Sequence, residues 1–521
     1  MNDAREELLA DVRRVCDLVG TMVGPFGTNK LVVEPGGRVT TTSSTSLFLD
    51  RLALDDPATL LLRQAANDFR DTHGDGATTL VLLTGALLDA SEELVERGLH
   101  PTAVARGYRT ALDVARERLD ARARPLSLVG GEAVARTALT GTRNPAARAR
   151  ISADVTEAVA AVSAAAGPGV GPENVSVLGR IGGSGETELV HGVVIETPPV
   201  SEAMPRRLPD AGVALLSSTV DVPKLGGLTD EGSTTRSLDV DSFEDRAAIG
   251  EYEREEFRRR LSAAVDAGCR FVATEGGVND RVEALLADAG ITAIQRVDDD
   301  VMRRLVRATG GQVVPSLADV TSETLGRGDV RVERLAGREF VYVEADRSPT
   351  YTFVCRAPDP RSVSAFEGSV ESAVAAVFRA TADDRVLPGG GATEIDLERA
   401  VRDAATRTGG AEQLAIEAFG RALADLPRRL AVSAGLDGWS GVIQLRVAHH
   451  EGRSSMGVDA LHGEIRDVLD DDPIVEPLGL KRDVLDAATD LAVQLLRIDE
   501  RLPANDLTDD DRVAGGPAVG G

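Results

Sequence analysis

The chain is helical at both ends and alternating in the middle, and few architectures accommodate that pattern. Apolar residues recur at i, i+3, i+4 and i+7 in LLADVRRVCDLVGTMV, ATLLLRQAANDF, TLVLLTGALLDASEELVERG and PTAVARGYRTALDVARERL, all within residues 1–120. The same period returns in LERAVRDAATR, EQLAIEAFGRALADL and DVLDAATDLAVQLLRIDERL near the other end. Between them, the strand-like runs VSVLGRIGG, TELVHGVVIET, GVALLSS, RFVATEG and ITAIQRV are joined partly by the helical runs EYEREEFRRRLSAAVDAG and DRVEALLADAG. That βαβ rhythm predicts an α/β domain with an at least partly parallel sheet. The simplest organisation is a helical domain assembled from both termini with an α/β domain inserted. KLVVEPGGRVTTTSSTSLFLD carries the signal of a β-hairpin around a Pro-Gly-Gly turn. Residues 225–245 lack periodicity and read as an exposed excursion, and residues 506–521 read as a disordered tail.

With 521 residues the chain exceeds what one core sustains, which is about 250–300 residues. Aromatics make up only 3% of it, so packing rests on Ala, Val and Leu. No run approaches the roughly 20 apolar residues of a membrane span, and the start, MNDAREELLADVRR, is charged, unlike a signal peptide; a cytoplasmic protein is expected. Cys16, Cys269 and Cys355 are scattered and odd in number, suggesting neither a disulfide framework nor a zinc site. A formal net charge of −26 argues against nucleic acid, whose phosphates need cationic partners. The only lysines are Lys30, Lys224 and Lys481. Heavy Asp with scarce Lys suggests work in concentrated salt, where screening shortens to about 3 Å at 1 M.

Residues 74–79, GDGATT, run straight into an apolar helix. Glycines let backbone N–H groups approach a ligand, and a helix N-terminus favours an anion. Asp75 in such a turn has two readings: it caps the helix, or it holds a Mg²⁺ that bridges to phosphate oxygens. GPFGTNK (24–30) and PGGGATE (388–394) are two further glycine turns beside helices, neither with Walker A spacing. Three such turns in the split helical domain point together to a Mg-nucleotide. GGSGE (182–186) reads as a hairpin turn between two strands, and His449 and His450 as neighbours on a strand whose side chains diverge, which disfavours a metal.

GPFGTNK, GDGATTLVLLTGALL, LHPTAVARGYRTAL, PGGGATEIDL, GGAEQLAIEAFGRALADLPRRLAVSAGLD and VEPLGLKRDVLDAATDLAVQLLRID resemble a group II chaperonin, the archaeal thermosome and eukaryotic CCT family, in a form similar to a haloarchaeal one. GETELVHGVVIET, MPRR and ITAIQRVDDDVMRRLVRATGGQVV extend the resemblance through the middle. It implies a multidomain α and α/β fold of three domains. An all-α equatorial domain would take 1–137 and 391–521, and an intermediate hinge domain 138–207 and 354–390. An α/β apical domain would take 208–353, with a helical protrusion near 225–260 acting as lid. It also implies two stacked rings built with paralogous subunits around a chamber for unfolded or partly folded polypeptides, ATP and Mg²⁺ as cofactors, and no nucleic-acid or membrane partner. Carried over by residue, Gly24 and Pro25 lie by the phosphates, Asp75 helps hold Mg²⁺, and Gly76, Ala77, Thr78 and Thr79 donate to phosphate oxygens. Gly390 sits beside the nucleotide, and Glu476 accepts from the ribose hydroxyls.

Two departures from the family pattern matter. Ser44 stands where the family has an aspartate that assists attack on the γ-phosphate, and no Asp lies between Val39 and Leu49. Ser372, sixteen residues before Pro388, stands at the second hydrolytic aspartate. Glu371 is adjacent but lies about 100° round the helix, so it is not a simple substitute. Serine does not ionise near neutral pH and cannot serve as the water-orienting carboxylate. Three readings follow: a subunit that binds ATP and hydrolyses it poorly, a full ATPase chaperonin with other carboxylates, or a non-cycling scaffold. The well-kept glycine turns favour the first.

Overall fold

The computed structural model describes residues 3–498 except 35, 38, 55, 142–143, 166–170, 184–185, 223–242 and 346–348. Its first part runs α1 (Asp3–Gly20), β1 (Lys30–Val33), β2 (Val39–Thr42), α2 (Thr45–Arg51), α3 (Pro57–His73), α4 (Ala77–Glu96) and α5 (Pro101–Arg122). The starts of α3 and α5 are written locally: Asp56 and His100 accept first-turn N–H groups, and a proline follows each. β1 and β2 form the expected antiparallel hairpin, with Leu31 opposite Thr41 and Val33 opposite Val39.

The middle contains β3 (Arg124–Pro125), α6 (Gly131–Ala138), α7 (Pro145–Ala164), β4 (Val175–Ile181), β5 (Glu186–Ile195), β6 (Arg207–Leu216), α8 (Phe243–Asp266), β7 (Cys269–Thr274), α9 (Asp280–Asp288), β8 (Thr292–Ile294), α10 (Asp299–Thr309), β9 (Val313–Val314), β10 (Gly326–Leu335), β11 (Arg338–Glu344), β12 (Tyr351–Ala357) and α11 (Pro360–Asp383). The last part runs β13 (Arg385–Pro388), α12 (Ala392–Ala405), α13 (Ala411–Leu423), α14 (Asp425–Ser433), α15 (Gly438–His450), β14 (Met456–Asp459), β15 (Glu464–Asp467), β16 (Val475–Pro477) and α16 (Leu478–Leu496).

The two helical ends share one core. Val12, Leu62, Leu80 and Tyr108 from the first part pack with Ile416, Phe419, Leu485 and Leu495 from the last, all essentially inaccessible to water. Tyr108 and Phe419 meet edge to face with ring centres 5.6 Å apart, a contact worth about 0.5–1.5 kcal/mol beyond its burial. This body is not purely helical: β16–β13–β3 and β14–β15 add short ladders beside the β1–β2 hairpin.

Nine strands of the middle form one sheet, ordered β4-β12-β5-β11-β10-β6-β7-β8 with β9 beside β6. The β6, β7, β8 and β9 pairings are parallel and joined through α8, α9 and α10, as the βαβ rhythm predicts. Two expectations need correction. β4 and β5 do not pair as a hairpin around GGSGE, because β12 lies between them, parallel to β4 and antiparallel to β5. Tyr351 faces Val175 on one side and His191 on the other, so a strand from far along the chain takes both partners. His449 and His450 end α15 rather than sit on a strand, since Asp437 caps that helix through the Ser440 N–H at 2.7 Å. His449 is buried, with Nε2 2.9 Å from the Met456 carbonyl oxygen, and burial lowers its pKa. Of the expected lid, residues 243–260 belong to α8 and 223–242 lie outside the described residues, as does the tail 506–521.

Candidate functional site

α11 crosses from the middle of the chain to the helical body, and a cavity of about 480 Å³ lies against it. Its floor is the turn between α3 and α4. Gly76 is the N-cap residue of α4 at φ +89°, where an added Cβ would lie 2.9 Å from the Phe69 ring. Only glycine fits there without strain. The cap reading of Asp75 does not hold: the cap residue is Gly76, and no side chain caps α4. The N–H groups of Ala77, Thr78 and Thr79 therefore begin a twenty-residue helix on the cavity wall, with its positive dipole end beside them. The Thr78 and Thr45 hydroxyls are 2.8 Å apart. Across the cavity α12 starts in the same uncapped way at Gly391, next to Gly390.

Asp75 lines the cavity, half-buried, and burial pushes its pKa up to about 6; the Gly76 N–H offsets part of that, and Glu476 adds to it. A carboxylate in such surroundings gains from a cation. Among the described residues no cluster of three or more Asp, Glu, His or Cys could hold a metal by itself. One carboxylate at a helix N-terminus fits Mg²⁺, which keeps waters and takes further ligands from phosphates. The pH dependence follows with its sign. Because the folded pKa is raised, protonation of Asp75 stabilises the free protein as pH falls, whereas holding a cation needs the ionised form. Mg-nucleotide affinity is expected to be full near pH 8 and to fall below pH about 6, and Asp75→Asn should flatten that dependence. Titration with a fluorescent nucleotide at fixed Mg²⁺ reads both.

Gly24 and Pro25 lie on the same cavity, and the Pro25 carbonyl accepts from the Gly141 N–H at 3.4 Å, tying this turn to the segment after α6. The Gly390 carbonyl accepts from the Val458 N–H at 2.8 Å, which fixes the third turn. Ser44 caps α2, its hydroxyl 3.4 Å from the Leu47 nitrogen. Ser372, on α11, points its hydroxyl at the Gly74 carbonyl, 3.5 Å away, directly before Asp75. Both serines line the cavity, and so does Glu371. Glu371 stands about 100° round α11 from Ser372, as the helix geometry requires.

Glu476, on β16, is pinned by a residue to which the sequence reading gave no role. Lys481 contacts Glu476 and lies 2.5 Å from Glu394 Oε1, with Lys481 and Glu394 both buried. Burial disfavours the Lys481 charge, but the two carboxylates outweigh it and raise its pKa; burial raises that of Glu476, against the pull of Lys481. Nearly a third of the Glu476 side chain, 31%, still faces the cavity. The one sequence signal for Lys481 was its rarity, as one of three lysines in an arginine-rich chain.

Residues 15–505 match the TCP-1/cpn60 chaperonin family. The chain belongs to that family. This chaperonin is 34% identical to thermosome subunit 1 of Haloferax volcanii, over 99% of its own length and 92% of the relative's. It is 34% identical to a thermosome subunit of Methanopyrus kandleri (97% and 93% covered) and 33% to thermosome subunit alpha of Archaeoglobus fulgidus (97% and 93%). These relatives place the chaperonin with the group II, thermosome-type members. No described helix is long and apolar enough to cross a membrane.

Proposed function

We propose that this chaperonin is an ATP-binding subunit that assists the folding of other polypeptides and hydrolyses ATP slowly. The observation that carries the reading is the uncapped start of α4 behind Asp75, opening on a cavity of nucleotide size. The α4 N-terminus would receive the phosphates, Gly24, Pro25 and Gly390 would frame them, and Glu476 would accept from the ribose. Mg²⁺, bound at Asp75, would neutralise phosphate charge and polarise the terminal phosphoryl group. The chain itself holds the nucleotide and shapes the site, but serines stand at 44 and 372, where a carboxylate would orient water.

The wider reading has the subunit form two stacked rings with paralogous subunits, in the cytoplasm and in high salt, enclosing unfolded or partly folded chains. Its domains would be equatorial (1–137 and 391–521), intermediate (138–207 and 354–390) and apical (208–353). Relatives called thermosome subunit 1 and subunit 2 in the same Haloferax species support paralogous partners. The test is calorimetric binding of ATP to the purified chain with Mg²⁺ in molar salt, alongside turnover by phosphate release. Micromolar binding with turnover far below one per second fits. No binding with or without Mg²⁺ sinks the nucleotide reading and leaves a scaffold.

A further inference from the structure

Several carboxylates besides Asp75 line the cavity, and most are committed to partners. Asp459 accepts from Arg466 Nε at 2.8 Å, from His462 and from two backbone N–H groups. Asp472 is held by Arg136 at 2.7 Å, Glu476 by Lys481, and Glu367 by the Gly179 N–H at 3.0 Å. Glu371 differs. Among the described residues its one ion pair is a 3.3 Å contact from Oε2 to Arg70 Nη2, with both side chains well exposed at 45% and 37%. The ion pair thus engages one oxygen of a carboxylate that is not enclosed by the protein. Glu371 precedes Ser372 in sequence, its carboxylate meets Arg70 on α3 in the turn before Gly74, and it lines the same cavity as the proposed metal-binding Asp75.

We infer that Glu371, steadied by Arg70, is the catalytic carboxylate that orients the attacking water in this chain, in place of the aspartates absent at 44 and 372. The inference rests on the nucleotide reading above. In the step it serves, the water oxygen bonds to the terminal phosphorus and one water proton passes to Glu371. The bond from phosphorus to the bridging oxygen breaks, its electron pair leaving on the nucleoside diphosphate. The second water proton stays on the phosphate released. A carboxylate about 100° round α11 from Ser372, steadied only by one exposed 3.3 Å contact, is less well placed than an aspartate at 372, and that makes the turnover slow.

The test compares the full chain with Glu371→Gln and Glu371→Asp for ATP affinity, turnover, and affinity for ADP with aluminium fluoride, which mimics the phosphoryl group in transfer. The expected result is ATP affinity unchanged within about twofold, turnover down about tenfold or more in Glu371→Gln, and loss of the extra affinity for ADP–aluminium fluoride over ADP. Partial recovery of both readouts in Glu371→Asp belongs to the same result, since that variant keeps a shorter carboxylate. Unchanged turnover in Glu371→Gln, or bound ATP that wild type never hydrolyses, overturns the inference while leaving the nucleotide reading standing. Failure of the wild type to bind ATP overturns both.

Discussion

Replacing Ser44 and Ser372 together by aspartate is expected to raise ATP turnover by about 10²-fold or more. A positioned acid–base group contributes roughly 10²–10⁴ in rate, and two such groups acting as a unit do not multiply. Both positions accept the change. Ser44 is an N-cap residue, a place that aspartate fills as well as serine does. Ser372 is half-buried at the cavity wall, where a carboxylate would turn from the Gly74 carbonyl toward the open space. The double variant should also lose its dependence on Glu371, because carboxylates at 44 and 372 take over the role. Turnover that stays flat while nucleotide affinity holds would show that the serines do not limit hydrolysis.

The second large effect is on stability. Lys481→Met leaves buried Glu394 and part-exposed Glu476 without their shared cation. Removing one partner of a buried ionic group costs about 3–5 kcal/mol, far more than the net worth of the intact group. The variant is expected to melt well below wild type in the absence of nucleotide. Adding Glu394→Gln and Glu476→Gln should restore most of the loss, since the uncompensated charge is then gone. If Lys481→Met melts with wild type, the triad contributes nothing to stability.

What local sequence encodes was legible, and what distant segments impose was not. The α3 and α5 helices carry their own periodicity and start signals, α4 carries its periodicity, and the β1–β2 hairpin has its Pro-Gly-Gly turn. The split helical body followed from the likeness of the two ends. By contrast, β12 slips between β4 and β5 from far along the chain, and nothing in VSVLGRIGGSGETELVHGVVIET announces it. α7, PAARARISADVTEAVAAVSA, is rich in alanine with little contrast between faces, and it went unread although Asn144 caps it. In the site, the glycine turns were visible as motifs, but whether Asp75 or Gly76 caps α4 depends on a backbone angle.

The shared core of the two chain ends has a further cost, in time. During synthesis α1 to α5 emerge with apolar faces that find their partners only when α12, α13 and α16 follow, and residues 123–386 must be made in between. At translation speeds of about 5–20 residues per second, that delay is on the order of tens of seconds. The nine-stranded sheet lies wholly within the intervening stretch and is complete before the helical body can close. The nascent chain thus spends that interval with a finished middle and an open beginning, its unpaired apolar faces exposed to aggregation.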